Sequence, residues 1–241
     1  MKGIILAGGI GARLGVLTKV VNKHLLPIYD NPMIYFPIRT LTRAGITSIM
    51  IVTDRRRAGD FMTLLGSGRQ FGARFTYGLQ DEASGIADAI SISRDFADDG
   101  GLTVILGDNL FLGPMKINYN IGSNARVYLA KVNDPERFGI ATLDRNRKIK
   151  DLIEKPKKPI SNYAVTGLYQ FPPDVFDKID KLTRSQRGEL EVTDLNKIYL
   201  AEGRLNYRIV KTPWIDAGTI DSLYKAQLMV RKYRSNKSHS E

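Results

Sequence analysis

The chain has 241 residues, of which 43% are hydrophobic, and this is enough for one large domain with a sizeable buried core. It contains 36 Lys and Arg against 25 Asp and Glu, and the resulting net charge of +11 predicts an anionic partner, whether a phosphorylated small molecule, a nucleic acid or an acidic lipid. The absence of cysteine excludes disulfides and thiolate nucleophiles, and His24 and His239 are the only histidines, so any metal is expected to be held by carboxylates.

The first half of the chain alternates strand and helix patterns. Strands are predicted for the runs GIILA, SIMIVTD, RFTYGLQ and LTVILGD, and helices for the intervening MIYFPIRTLTRAG, RAGDFMTLLGSG and IADAISISRDFADD. This alternation, which continues to residue 107, is typical of βαβ units that form a parallel sheet covered by helices on both faces.

The second half is predicted to extend this sheet. ARVYLAKV and AVTGLYQF are strand-like, and they are followed by helical PDVFDKIDKL and TDLNKIYLAEG and by a strand at LNYRIVK. A last helix is expected over 219–234, and the polar segment 235–241 is expected to be a disordered tail. Because neither an internal repeat nor a flexible linker divides the chain, we predict a single domain over 1–241.

Glycines and cations follow the first predicted strand. GGIGAR lies where an open α/β sheet binds ligands, and glycine lets backbone N–H groups approach phosphate oxygens. Leu14 stands where the dinucleotide-binding fingerprint requires glycine, and the segment does not complete a Walker A loop. Arg13 and Lys23 add positive charge, so the segment predicts a polyanion-binding loop, with a glycine turn among surface charges as the alternative.

Two aspartates follow predicted strands. Asp108 ends LTVILGD, and Asp216 lies in WIDAG beyond the strand LNYRIVK. Mg²⁺ takes one or two protein carboxylates and leaves its other positions to phosphates and water, so this pair predicts a magnesium site. For either aspartate alone, a helix cap or a turn residue is the alternative.

Six blocks of the sequence resemble one known family. LAGGIGARL, followed by LTK and NKHLLPIYDNPMIYFPI, resembles the signature of sugar-1-phosphate nucleotidyltransferases and is most similar to the short glucose-1-phosphate thymidylyltransferases. The blocks VILGDN, NDPERFGIA, IEKPKKPISNYAVTGLY, RGELEVTDLN and WIDAGT follow in the family's order, so the resemblance spans residues 1–219. It implies an α/β fold with a Rossmann-like, mixed, mostly parallel sheet flanked by helices. The nucleotide-binding half would cover 1–110, and a sugar-binding extension would cover 111–218.

The resemblance also implies a reaction and its residues. A nucleoside monophosphate would pass from dTTP or UTP to a hexose 1-phosphate, first of all glucose 1-phosphate, by Mg²⁺-assisted in-line displacement of pyrophosphate. Catalysis is assigned to Arg13, Lys23 and Asp108, and the metal to Asp108 and Asp216. The implied nucleotide contacts are Leu6, Ala7, Gly8, Gly9, Gly11, Ala12, Gln80, Gly85 and Asp108. The implied sugar-phosphate contacts are Asn109, Gly139, Glu154, Lys155, Val165 and Arg187.

Two departures from the family pattern limit what the resemblance implies. Gly15 and Val16 replace an aromatic residue and a proline, so we expect weaker or differently timed closure of this loop, which restoring the two residues would tighten. The chain also ends soon after its last predicted helix, short of the helices that build the tetramer and the product-regulation site in longer relatives. Assembly is therefore left at a homo-oligomer, with a dimer favoured.

The sequence leaves other functions open for the chain and other roles open for some residues. A non-catalytic nucleotide or NDP-sugar binding protein on the same scaffold is the main alternative, because a fold does not prove activity. Nucleic-acid binding lacks any motif, and Leu14 disfavours a nicotinamide oxidoreductase. His24 is expected to be a structural hydrogen-bond donor, and Trp214 a packing residue. No apolar run reaches about 18 residues and no signal-peptide pattern is present, so we expect no membrane partner and a cytoplasmic location.

Overall fold

A central sheet of nine strands runs through the computed structural model, which describes residues 1–82 and 84–238. In chain order the strands are β1 (Lys2–Leu6), β2 (Pro27–Ile28), β3 (Asn31–Pro32), β4 (Ser48–Asp54), β5 (Arg74–Gln80), β6 (Leu102–Leu106), β7 (Asn109–Phe111), β8 (Ala125–Lys131), β9 (Gly139–Leu143), β10 (Ile149–Glu154), β11 (Tyr163–Phe171), β12 (Leu205–Ile209) and β13 (Trp214–Asp216). The α-helices are α1 (Tyr35–Arg43), α2 (Ala58–Leu65), α3 (Ile86–Ser91), α4 (Arg94–Ala97), α5 (Val175–Ile179), α6 (Val192–Ala201) and α7 (Ile220–Ser238). Short 3₁₀ segments lie at Ala12–Thr18, Lys23–Leu25, Arg69–Phe71 and Pro135–Arg137.

Parallel pairing in the first half of the chain creates one ligand-facing edge. The strands β5, β4, β1 and β6 are parallel neighbours in that order, and β4 and β5 coincide with the predicted runs SIMIVTD and RFTYGLQ. Because the carboxyl ends of parallel neighbours meet at the same edge of a sheet, the residues that follow Leu6, Asp54, Gln80 and Leu106 gather there.

Strand β11 adds the second half of the chain to this sheet and opens a gap in it. Its end, Leu168–Phe171, pairs with β6, whereas its beginning, at Tyr163 and Ala164, pairs with β9. The opposite edge of β11 pairs with β8, with a shift of register between Val165 and Tyr169. The sheet is therefore interrupted between β6 and β9 alongside residues 165–167.

The strand directions confirm the predicted sheet. Seven of the nine strands run in one direction, and β10 and β11 run against them. Alternate side chains of β1 enter opposite faces: Ile4 packs in the cluster that includes α3, α5 and α6, and Ile5 packs in the cluster that includes α1 and α2. The fold is thus a mixed, mostly parallel α/β sheet with helices on both faces.

Helix α7 packs against the segment that follows β1. Leu223, Ala226 and Val230 pack against Leu14 and Leu110 in a third apolar cluster. The helix continues to Ser238 rather than ending at 234, so residues 235–238 of the predicted tail are helical, and residues 239–241 lie outside the described residues. In the described part of the chain no helix is both long and apolar enough to span a membrane.

Candidate active site

The glycines after β1 lie close to side chains from other parts of the chain. A Cβ on Gly8 would lie 2.7 Å from Oε1 of Gln80, and one on Gly9 would lie 3.3 Å from Cε of Lys23. Gly11 has a φ of 69°, a left-handed conformation that favours glycine. The segment therefore brings its backbone against Gln80, at the end of β5, and against Lys23, at the start of the 3₁₀ segment Lys23–Leu25.

A first cavity of about 220 Å³ lies beside this segment. Six residues of the predicted nucleotide set line it, namely Leu6, Gly8, Gly9, Gln80, Gly85 and Asp108, and Lys23 of the predicted catalytic set lines it as well. Ala7, Gly11 and Ala12 are not among its described lining residues. Ala7 uses its backbone within the protein, because its N–H donates to the carbonyl of Val52 and its carbonyl accepts from Asn22.

Lys23 and Asp108 form a buried ion pair at the inner end of the first cavity. Nζ of Lys23 lies 2.5 Å from Oδ2 of Asp108, and Asn109 donates from Nδ2 to the other carboxylate oxygen at 3.0 Å. Burial alone would raise the pKa of the Asp108 carboxyl, but the Lys23 ammonium and these hydrogen bonds hold that pKa well below its usual range. Asp108 is therefore an anion in the folded protein.

Strand pairing brings the second predicted metal ligand to Asp108. β13 pairs with β7 so that Asp216 lies opposite Asn109, and the N–H of Ala217 donates to the carbonyl of Asp108. A Cβ on Gly218 would lie 2.9 Å from Oδ1 of Asp216 and 3.4 Å from Oδ2 of Asp108. It would also lie 2.9 Å from Nη2 of Arg13, so Gly218 leaves the space in which these three side chains converge.

The two carboxylates suit a divalent cation. Burial of its carboxyl group and the neighbouring charge of Asp108 raise the pKa of Asp216 well above its usual range. A cation placed between the two carboxylates would remove this repulsion, and Mg²⁺ needs only one or two protein oxygens. Among the described residues no group of three or more His, Asp or Glu side chains forms a fuller metal site. The donor set therefore fits Mg²⁺ that completes its coordination with phosphate and water.

A second cavity, of about 190 Å³, opens at the gap between β6 and β9. All six residues of the predicted sugar-phosphate set line it, namely Asn109, Gly139, Glu154, Lys155, Val165 and Arg187. Arg13, Asp108 and Asp216 line it as well, so Asp108 belongs to both cavities. The interruption of the sheet along β11 thus gives the second cavity its floor.

Glu154 is held in the second cavity by a network that includes residues which sequence reasoning missed. Thr193 donates from Oγ1 to Oε2 of Glu154 at 2.6 Å, and Nζ of Lys155 lies 3.5 Å from Oε1. Arg187 forms a 2.7 Å ion pair with Glu191 and also faces Glu154 at 3.9 Å. Both Glu191 and Thr193 lie in the block RGELEVTDLN, which was the available signal, but neither was assigned a role.

Asn109 and Gln80 are oriented by partners inside the protein. Oδ1 of Asn109 accepts at 2.8 Å from both Nε1 of Trp214 and the N–H of Gly167, while its Nδ2 serves Asp108. Asn109 therefore positions Asp108 in addition to lining the second cavity. Gln80 donates to Oδ2 of Asp88 at 3.1 Å, which turns its amide oxygen toward Gly8.

His24 has a structural role, and Trp214 contacts the site. The His24 ring is buried, and its Nδ1 lies 2.8 Å from Oδ1 of Asn22, an atom that also accepts from the His24 N–H. Burial and the adjacent Lys23 lower the pKa of His24 to about 3, so the ring is neutral. Trp214 was predicted to be a packing residue, but it also lines the second cavity and donates a hydrogen bond from Nε1 to Oδ1 of Asn109.

The expected effect of restoring two family residues in the loop does not fit the structure. Gly15 has a φ of 57° and a ψ of −124°, a combination open to glycine and strained for any residue with a Cβ. An aromatic residue at this position would strain the backbone and distort the loop, and a proline at the next position would not remove that strain. The expectation that restoring the two residues would tighten closure of the loop is therefore wrong, because the Gly15 backbone does not accommodate an aromatic residue without strain.

Comparison with known proteins agrees with this geometry. A family model described as nucleotidyl transferase matches residues 2–233. The chain belongs to the nucleotidyl transferase family. A glucose-1-phosphate thymidylyltransferase from Xanthomonas campestris pv. campestris is 45% identical over 232 residues, which are 93% of this chain and 79% of the relative.

Solved structures place this nucleotidyl transferase among similar folds. A Bacillus anthracis protein assigned as a glucose-1-phosphate thymidylyltransferase, in complex with sucrose, has a TM-score of 0.88 and 48% identity, covering 96% of this chain and 95% of that chain. A UDP-glucose pyrophosphorylase complexed with UDP-glucose has a TM-score of 0.82 over 96% of this chain and 98% of its own, and at 24% identity it supports the fold alone. The predicted family, fold and enzyme class are confirmed, and enzymes of this nucleotidyl transferase family generally use Mg²⁺.

Proposed function

We propose that this nucleotidyl transferase joins dTTP, and more weakly UTP, to glucose 1-phosphate or a closely related hexose 1-phosphate, giving an NDP-sugar and pyrophosphate. One observation carries the proposal: the Asp108 carboxylate lines both cavities, with Gly8, Gly9 and Gln80 in one and Glu154 and Arg187 in the other. Two substrates bound in these cavities would meet at Asp108. The name shared by the Xanthomonas and Bacillus relatives supports the choice of substrates.

The side chains of the site suit an in-line displacement. An oxygen of the sugar phosphate attacks the α-phosphorus, and the bond from that phosphorus to the bridging oxygen breaks, so its electron pair leaves with pyrophosphate. Lys155 and Arg187 hold the sugar phosphate, and Glu154, oriented by Thr193, accepts hydrogen bonds from the hexose hydroxyls. No covalent enzyme intermediate is required.

Two cationic side chains near Asp108 suit phosphate binding, with Lys23 lining the first cavity and Arg13 lining the second. Arg13 binds the triphosphate, since a guanidinium matches phosphate oxygens with two N–H groups. Lys23 forms an ion pair with Asp108 in the ligand-free protein. When the phosphates bind, its ammonium group pairs with them instead. Mg²⁺, when held by Asp108 and Asp216, supplies charge neutralisation at the phosphates.

Release of pyrophosphate across a matrix of substrates tests the proposal. The matrix pairs dTTP, UTP, CTP, GTP and ATP with glucose, galactose and mannose 1-phosphates, each with Mg²⁺ and with a chelator. We expect the highest kcat/KM for dTTP with glucose 1-phosphate, and a preference over UTP of roughly tenfold, since one methyl group is worth about 1–3 kcal/mol. Tight binding of dTTP without pyrophosphate release in any combination would instead favour a nucleotide-binding protein without turnover.

A further inference from the structure

Three consecutive arginines follow β4, and they differ sharply in their contacts. Arg55 and Arg56 are exposed, and neither side chain forms an ion pair or hydrogen bond within the described residues. Arg57 is half-buried and donates from Nη1 to the carbonyl of Val20 at 2.7 Å and from Nη2 to the carbonyl of Lys19 at 3.3 Å. The run RRR therefore contains one side chain that joins two segments. All three arginines line an open cavity of about 770 Å³ that Gly8 and Gln80 also line.

The segment held by Arg57 is the end of the loop that carries Arg13. Inside this loop Leu14 is fully buried beneath α7, whereas Val16 and Val20 are 71% and 80% exposed. Thr18 donates to the carbonyls of Gly11 and Gly15 and thereby organises the loop internally, without attaching it to the sheet. Beyond Leu14, little apolar burial fixes this part of the loop.

A second contact joins the same two segments. Asn22 donates from Nδ2 to Oδ2 of Asp54 at 3.3 Å, and Oδ1 of Asp54 accepts from the N–H of Arg56. The turn after β4 thus holds residue 22 through Asp54 and residues 19–20 through Arg57.

We infer that Arg57 is a positioning residue for the triphosphate, because it fixes the end of the Arg13 loop against the turn that follows β4. The inference rests on the proposed function, which places the triphosphate at Arg13. A loop that is already ordered loses less conformational entropy when ligand binds, and Gly15 and Val16 provide no such restraint themselves. Two N–H groups in a rigid fork reach two successive carbonyls, which one lysine ammonium cannot reproduce.

Arg57 acts through geometry and not through long-range charge. Its guanidinium is occupied by the carbonyls of Lys19 and Val20, and it lies 3.9 Å from Oδ2 of Asp60. Arg56 carries the same charge one residue away and lines the same cavity, but its side chain forms no hydrogen bond or ion pair with the loop among the described residues, so it is the matched control for loss of charge.

Steady-state kinetics of Arg57→Ala and Arg56→Ala separate the two mechanisms. Loss of both carbonyl contacts should raise the KM for dTTP by roughly five- to twentyfold in Arg57→Ala, while the KM for glucose 1-phosphate changes by less than about twofold. Arg57→Lys should fall between the wild-type protein and Arg57→Ala, and Arg56→Ala should match wild type in both constants. Equal increases in the KM for dTTP in Arg57→Ala and Arg56→Ala would overturn the inference, because loss of charge would then be the cause.

Limited proteolysis tests the same contact without any substrate. Trypsin cleaves after Lys19, whose carbonyl accepts from Arg57, so cleavage at this bond should be about fivefold faster in Arg57→Ala than in wild type or Arg56→Ala. Cleavage at an unchanged rate, in variants with unchanged thermal unfolding, would contradict the inference. If Arg57→Ala proves globally unstable, the comparison of Arg57→Lys with Arg56→Lys decides. A wild-type protein without thymidylyl transfer would refute the proposed function, while the proteolysis result would still report on the Arg57 contact.

Discussion

At the scale of single residues, the site depends on the balance between the buried carboxylates of Asp108 and Asp216 and the cationic side chains around them. Asp108 is stabilised as an anion by Lys23 and Asn109, whereas Asp216 lies beside that anion without a cation of its own at comparable distance. Arg13 approaches the same point through the space that Gly218 leaves open. The arrangement leaves Asp216 ready to gain a cationic partner, which is the property expected of a metal ligand.

Replacing either aspartate should show that the two act as a unit. Asp108→Asn and Asp216→Asn keep size and remove charge, so we expect kcat to fall by roughly 10²–10³, the scale for losing one preorganised electrostatic stabiliser. The double variant should lose much less than the product of the single losses. Electron paramagnetic resonance of bound Mn²⁺ provides a readout besides activity, and the exposed Asp177→Asn is the control. Full Mn²⁺ affinity in Asp216→Asn would mean that the metal is misplaced.

The neutral His24 predicts how stability depends on pH. In the unfolded chain this histidine binds a proton below its ordinary pKa of about 6.5, whereas in the folded protein burial lowers its pKa to about 3. At His24 the unfolded state therefore binds more protons between these values, and the contribution of this residue to the free energy of unfolding should fall by about 1.4 kcal/mol per pH unit as the pH drops through this window.

Urea unfolding of the wild-type protein and of His24→Gln at several pH values measures this contribution. The glutamine cannot be protonated, so the difference in unfolding free energy between the two proteins should shift steadily in favour of the variant below about pH 6.5. Parallel pH profiles for the two proteins would show that the ring is protonated in the folded state after all.

At the scale of elements, two pairings create the site. β7 and β13 form a small antiparallel pair that sets Asp216 beside Asp108, and β11 changes partner from β6 to β9 and leaves room for a ligand. The loop that carries Arg13 is the least restrained of these parts. Its conformation at Gly15 and its attachment by Arg57 therefore decide where Arg13 lies before ligand binds.

Gly15→Ala tests the conformation of this loop without a steric clash. The added Cβ would have no atom within 4 Å, so its effect is limited to backbone strain, roughly 1–3 kcal/mol in this region of φ and ψ. We expect a higher KM for dTTP because the loop shifts to conformations that displace Arg13. Gly59→Ala is the matched control, since its Cβ also meets open space, but within α2, where alanine should stabilise the protein slightly. Identical kinetics for both variants would mean that the loop rearranges freely on binding.

At the scale of the whole molecule, a continuous sheet carries both halves of the site. The edge formed by β1, β4, β5 and β6 provides the first cavity, and β9, β10 and β11 provide the walls of the second. Helix α7 returns to the start of the chain and buries Leu14, so the last helix supports the loop of Arg13. The expected homo-oligomer stays a prediction.

The amino-acid sequence by itself determined the elements and the family. Alternating apolar runs marked β4 and β5 to the residue. The six blocks also named six residues as sugar-phosphate contacts, and all six line the second cavity. Both kinds of signal depend on residues that lie close together in the chain. Only the tertiary structure brings Asp108 close to Asp216 and interrupts the sheet along β11. Only the tertiary structure forms the hydrogen bonds from Thr193 to Glu154 and from Arg57 to the carbonyls of residues 19–20. These contacts join residues far apart in the chain. Their existence depends on how the whole sheet packs, and no local pattern of residues contains that information.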